Sequence, residues 1–138
     1  MKILVDTNII LDIILKRKEF FSDSQMALEK AIAQGYRLYF SASAATYVYY
    51  LVRKITGDKA IAVNAIKQMA EFLTFAEVDS NCILAATLSK LDDYEDAVVD
   101  AVASKLKVDC ILTRNLNDFK GANNNAIDPS NFITNFFN

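Results

Sequence analysis

Two short apolar runs, Lys2-Ile3-Leu4-Val5-Asp6 and Val108-Asp109-Cys110-Ile111-Leu112-Thr113, lie near opposite ends of the chain, and each ends on a polar cluster. Runs of this length read as strands buried on both faces. Between them the apolar residues recur at helical spacing, as Ile9, Ile10, Ile13 and Ile14 do. Buried strands alternating with helical stretches call for a parallel sheet covered by helices on both faces. No Asn-Gly or Asp-Gly hairpin signal interrupts the pattern.

The remaining elements follow from local chemistry. Strands are expected at 2–6, 37–41, 74–78 and 108–113. Helices are expected at 9–16, 43–55, 58–73, 93–106 and from Pro129 onward, where proline suits a first turn. Ser22-Asp23-Ser24-Gln25 has the form of a capping box and predicts a helix to about Gln34, stopped by Gly35. Ser80 is placed to cap a helix reaching about Leu91. Asn115 to Asn125 reads as a polar loop.

The 138 residues, 53% hydrophobic and 23% charged, suffice for one domain whose core needs no disulfide framework. The formal net charge is -2, so contact with nucleic acid has to be local or helped by a bound cation. Histidine is absent, which removes Ser-His-Asp and Cys-His catalysis and the usual zinc sites. Cys82 and Cys110 each sit among apolar residues and read as free buried thiols. Asp6 and Asp12 break the first apolar stretch, so no signal peptide is expected. No run approaches the ~18 apolar residues of a membrane span. The default compartment is the cytoplasm.

Three groups of carboxylates stand out as candidates for chemistry. Asp6 follows the first apolar run. Asp92-Asp93-Tyr94-Glu95-Asp96, with Asp100 a turn later, opens a helix. Asp118 lies just past the second run. If the strands bearing Asp6 and the 113–118 segment are neighbours where the winding reverses, both face one crevice. Converging oxygen ligands without histidine or thiolate suit Mg²⁺ or Mn²⁺. Thr7, Asn8, Thr113 and Asn115 could orient a carboxylate or a phosphate. Each residue also has a plainer role. Asp6 can cap the helix after it, and that stands at even odds with metal binding. The acids at 92–96 suit a first helical turn, and Asp93, Asp96 and Asp100 can form a solvated face. Asp118 can be a turn residue. Tyr47, Tyr49 and Tyr50 can stack on bases or pack in the core. Lys16-Arg17-Lys18 can meet phosphates or end a helix.

The stretch Ile3-Leu4-Val5-Asp6-Thr7-Asn8-Ile9-Ile10-Leu11-Asp12 resembles the opening motif of PIN domains. Asp93-Tyr94-Glu95-Asp96-Ala97 is similar to their later acidic motif, and Ile111 to Phe119 to their fourth strand and the loop after it. The resemblance covers nearly the whole chain and is nearest to the single-domain bacterial branch related to VapC-type toxins. It implies an α/β/α sandwich with strand order 3-2-1-4-5, Mg²⁺- or Mn²⁺-dependent RNA cleavage, an antitoxin partner and a homodimer. It assigns Asp6 and Asp96 as metal ligands. Asp118, or Asn115 in front of it, takes the fourth acidic position, with Asn8 and Thr113 as support. Two departures are visible, one of them Asn115, which stands where relatives often have aspartate. Where many relatives carry a glutamate in the third helix, this chain has Tyr47. Asp93, Glu95 or Asp100 would have to compensate.

Two functions follow from these residues: a metal-dependent ribonuclease, or a PIN fold without turnover that binds RNA or protein. A Mg²⁺-dependent phosphatase or receiver-like domain ranks below both, since its strand-end nucleophile and lysine are not recognisable.

Overall fold

The strand order is β3-β2-β1-β4-β5, and every neighbouring pair is parallel. The strands are β1 (Lys2–Val5), β2 (Arg37–Ser41), β3 (Thr74–Ala76), β4 (Cys110–Leu112) and β5 (Ala126–Ile127). The structure is a computed structural model and describes residues 1–137. Seven α-helices are present among them: α1 (Thr7–Ile14), α2 (Phe21–Ala33), α3 (Ala42–Thr56), α4 (Lys59–Phe72), α5 (Ser80–Ala86), α6 (Tyr94–Leu106) and α7 (Pro129–Phe137). A short 3₁₀ turn spans Leu116–Phe119.

Alternation along β1 divides the core. Ile3 and Val5 point to one face, where they meet Leu38, Phe40, Cys110 and Leu112 under α1, α2, α3, α4 and α7. Leu4 and Ile111 point to the other, against Val98, Val99 and Val102 of α6 and Cys82 of α5. Both faces of β1 and β4 are thus covered, which explains their unbroken apolar runs. The result is the expected three-layer α/β/α sandwich with order 3-2-1-4-5.

β1 lies between β2 and β4, so the winding reverses there. At such a point the carboxyl ends of two neighbouring strands open a crevice. Asp6 follows β1 directly and Thr113 follows β4 directly, with Asp6 N–H donating to the carbonyl of Leu112 at 2.9 Å. The sheet therefore fixes both ends of the crevice to each other.

Four local expectations need correction. α2 begins at Phe21 with no side-chain cap, so Ser22-Asp23-Ser24-Gln25 lies inside the helix. Ser24 is buried there and donates to Asp12 at 3.0 Å. α5 is capped by Asp79, not Ser80, through the Cys82 N–H at 2.9 Å, and stops at Ala86 rather than near Leu91. The strands expected at 74–78 and 108–113 contract to Thr74–Ala76 and Cys110–Leu112. The loop at 115–125 contains the 3₁₀ turn and is followed by β5, which is too short to leave an apolar run.

Candidate active site

Asp6 is the fixed point of the crevice. It caps α1 from an extended backbone conformation, its Oδ1 accepting from Thr7 N–H at 2.8 Å. Its Oδ2 accepts from the Thr113 hydroxyl at 2.8 Å and from Asn8 Nδ2 at 3.1 Å. Capping and facing the crevice are thus compatible roles for one carboxylate.

Thr113 joins the two sides. Besides donating to Asp6, its hydroxyl oxygen accepts from Asn8 Nδ2 and from Asn115 N–H, both at 3.1 Å. Asn8 Oδ1 in turn accepts from the Arg114 N–H at 3.1 Å. Asn8 and Thr113 therefore stitch the start of α1 to the loop after β4. That loop then turns through Leu116–Phe119, where Phe119 is buried against the α6 layer and Asp118 is left exposed.

The pocket so formed, about 380 Å³, brings together Asp6, Asp93, Glu95, Asp96 and Asp118, with Tyr47 of α3 on its wall. Asp93 also caps α6, its Oδ1 accepting from Asp96 N–H at 3.0 Å. Burial raises the pKa of Asp96 to about 7, reinforced by repulsion from Asp6, Asp93, Asp118 and Glu95. Asp6 is 7% exposed. Its burial raises its pKa, the bonds from Thr113 and Thr7 counteract this, and Asp118 adds to the rise. Glu95 is also raised, by burial first and then by Asp93 and Asp6. These carboxyl groups repel one another across a shared space.

Asp100 does not join them. It is 2% exposed and accepts from the backbone N–H groups of Asn123 and Asn124 at 2.8 and 3.1 Å and from Asn124 Nδ2 at 2.7 Å. It anchors the loop before β5. Four residues of helix are about 6 Å of axial rise, which carries Asp100 past the pocket although it shares a face with Asp96.

Asp12 was not among the expected site residues. It is wholly buried and holds Arg114 by two bonds, Nε to Oδ2 at 2.7 Å and Nη2 to Oδ1 at 3.0 Å. The Arg114 guanidinium also lies over the Phe20 ring, 3.7 Å from its centroid. Arg17 stands 3.6 Å from Asp12. An acid within the apolar stripe of α1 was the available signal, because a buried charge requires a partner.

The donor set fits a hard divalent cation: carboxylates and amides, without nitrogen or sulfur ligands. Arg114 is bonded to Asp12 and Arg17 stands 3.6 Å from it, so among the described residues no cationic side chain is paired with the acids facing the pocket. Among the described residues no three of these carboxylates close on a single point. Mg²⁺ suits such an open arrangement, since it keeps several waters and takes one or two carboxylates directly.

A family model described as PIN domain matches residues 2–117. The chain is similar to Ribonuclease VapC1 of Aquifex aeolicus (strain VF5), 30% identical over 115 residues, which is 81% of this chain and 80% of that protein. It is similar in structure to VapBC2 from Rickettsia felis bound to a DNA fragment from their promoter, with TM-score 0.75, 15% identity, and coverage of 93% of this chain and 98% of that one. It is also similar to VapBC-1 from nontypeable Haemophilus influenzae, with TM-score 0.68, 16% identity, and coverage of 94% and 99%. At such identities the structural likeness speaks for the fold.

Proposed function

The chain belongs to the PIN-domain family, on the branch related to the VapC-type ribonucleases, and on that premise we propose that it is a divalent-metal-dependent endoribonuclease acting at the acid pocket. The observation that carries this reading is the gathering of Asp6, Asp93, Glu95, Asp96 and Asp118 on one pocket at the switch point of the sheet. Asp6, Asp96 and Asp118 are the residues that would hold Mg²⁺ or Mn²⁺, directly or through its bound waters, with Asn115 in reserve beside Asp118.

A divalent cation bound there supplies activation of water and neutralisation of phosphate charge for in-line hydrolysis. The protein supplies rigidity. A carboxylate has about four acceptor positions, and three donors occupy those of Asp6, leaving one on Oδ1. Asn8 and Thr113 hold that carboxylate in a single orientation. Asp93, by capping α6, sets the first turn that carries Glu95 and Asp96 to the pocket. The pair Asp12–Arg114 fixes the loop that brings Asn115 and Asp118.

With Mn²⁺ the protein should cleave single-stranded RNA. Asp6→Asn should lose more than the about 100-fold that follows loss of a residue supporting a ligand, while keeping its circular dichroism spectrum. Undiminished cleavage by Asp6→Asn would sink the assignment. The likeness to VapBC assemblies supports an antitoxin protein as partner, and a homodimer in the cytoplasm accompanies that reading. No helix among the described residues is long and apolar enough to cross a membrane.

A second reading rests on Tyr47, which lines the pocket where an acid was expected. It makes the chain a binding module for RNA or protein without turnover. Calorimetric titration separates the two. Mn²⁺ binding that is lost in Asp96→Asn favours the nuclease, and equal heats from both proteins favour the module.

A further inference from the structure

Two groups on the wall of the acid pocket, Arg17 and Tyr47, are not among the carboxylates that would bind a cation. The hydrogen bonds to Asp12 do not involve Arg17. The two oxygens of Asp12 accept two bonds from Arg114 and one from Ser24, whereas Arg17 comes only to 3.6 Å. Yet Arg17 is held in place. α1 ends in paired bonds from Lys16 N–H to the Ile13 carbonyl at 3.3 Å and from Arg17 N–H to the Asp12 carbonyl at 3.0 Å. This closing turn places Lys16 at φ 49°, a conformation usually given to glycine. The turn projects Arg17 to the pocket with its side chain 36% exposed. Arg114 cannot replace it, being paired with Asp12 and stacked on Phe20.

Tyr47 is 49% exposed, and its hydroxyl makes no hydrogen bond among the described residues. A ring half open to solvent beside five acids offers an aromatic face and no charge. Tyr50, one turn further along α3, is 66% exposed and extends that face. A chain of net charge -2 that brings a phosphate to a pocket of acids requires a local cation, and of the two arginines on the pocket wall Arg17 is the one held more loosely by Asp12, at 3.6 Å.

We infer that Arg17 and Tyr47 form a clamp for single-stranded RNA at the acid pocket, the guanidinium taking a backbone phosphate and the phenol ring stacking on a base. This rests on the reading of the pocket as an RNA site. Guanidinium groups match phosphate geometry, and aromatic side chains stack on any exposed base. A duplex hides its base faces, so the clamp selects single strands. Tyr47 then has a positive role in the place where relatives carry an acid.

The test uses fluorescence anisotropy with a labelled single-stranded RNA of about 12 nucleotides and mixed sequence, in an Asp6→Asn background so that the RNA survives. Arg17→Ala is expected to weaken binding about 10-fold and to reduce the slope of log affinity against log salt by about 0.7, one phosphate contact on a single strand. Tyr47→Ala is expected to weaken binding about 10-fold with the slope unchanged, and Tyr47→Phe to bind like its parent. In the protein retaining Asp6, with Mn²⁺, both alanine variants should raise KM more than they lower kcat. An unchanged salt slope in Arg17→Ala overturns the proposal. So does Tyr47→Phe binding as weakly as Tyr47→Ala, which would assign the contact to the hydroxyl. If the tyrosine variants alter the oligomeric state in size-exclusion chromatography and leave RNA binding intact, the α3 face joins two copies and the clamp is wrong. If the unaltered protein binds RNA, both alanine variants weaken it and no RNA is cut, the clamp stands and the nuclease reading fails. Urea midpoints matching the parent show that the variants fold.

Discussion

Replacing Arg114 by alanine should cost about 3.5–4 kcal/mol of folding stability, although the residue lies in a loop. The reason is Asp12, which has no exposure to solvent. Arg114 gives it two charge-assisted bonds at 2.7 and 3.0 Å. Without them the carboxylate keeps one hydroxyl bond from Ser24 and a guanidinium 3.6 Å away. Removing one partner of a buried ion pair costs about 3–5 kcal/mol. The nearness of Arg17 sets the lower end of that range, and lost stacking on Phe20 adds about 0.5–1 kcal/mol. A domain with the usual stability of about 5–15 kcal/mol stays folded at room temperature. With a urea slope of about 1–3 kcal/mol per molar, the midpoint should drop by about 1–4 M in far-UV circular dichroism. The double variant Asp12→Leu/Arg114→Met should cost less than Arg114→Ala alone, because no charge is left unpaired. A loss under about 1 kcal/mol in Arg114→Ala, or strict additivity in the double variant, would refute the reasoning. Cleavage should suffer too, because the same pair fixes the loop carrying Asn115 and Asp118.

Other outcomes follow from the same chemistry. Folding raises the Asp96 carboxyl to about 7, so the folded state binds the extra proton and stability from this group is lost as pH climbs from about 4 towards 7. Asp96→Asn should therefore raise the melting temperature of the metal-free protein at pH 8 and much less at pH 5; calorimetry showing no gain at pH 8 would contradict the repulsion. Asp100→Ala should lose about 2 kcal/mol and open residues 121–125 to proteolysis, yet preserve Mn²⁺-dependent cleavage per folded molecule. Burial lifts the Cys110 thiol to about 11 and raises Cys82 as well, so both should react slowly with iodoacetamide until the protein unfolds; fast labelling of the native protein would count against their burial.

How far the sequence could be read depended on how local the signal was. β1 and β4 were legible because strands covered on both faces leave unbroken apolar runs. α3, α4 and α6 were legible because Gly57, Asp58 and Asp93 mark their ends by backbone conformation or capping. The pattern Ser22-Asp23-Ser24-Gln25 misled because the demand on Ser24 comes from Asp12, a residue of another helix. β5 has two residues and no periodicity to detect. Asp6, Asp96 and Asp118 were singled out by the resemblance to PIN domains, and the fold brings all three to one pocket. Asp12 could not be given its role, because its partner Arg114 lies 102 positions away. Asp100 misled for a simpler reason: sharing a helical face with Asp96 does not mean sharing a pocket.

The outer strands have a consequence for assembly. β3 has three residues and β5 two, so neither margin of the sheet offers enough unpaired backbone to template a further strand. Short margins protect against edge-to-edge aggregation and domain swapping. They also narrow how another chain can join this one. A partner, or a second copy, finds its area on the helical layers rather than by lengthening the sheet, and it can do so without disturbing the strand ends that hold the acids.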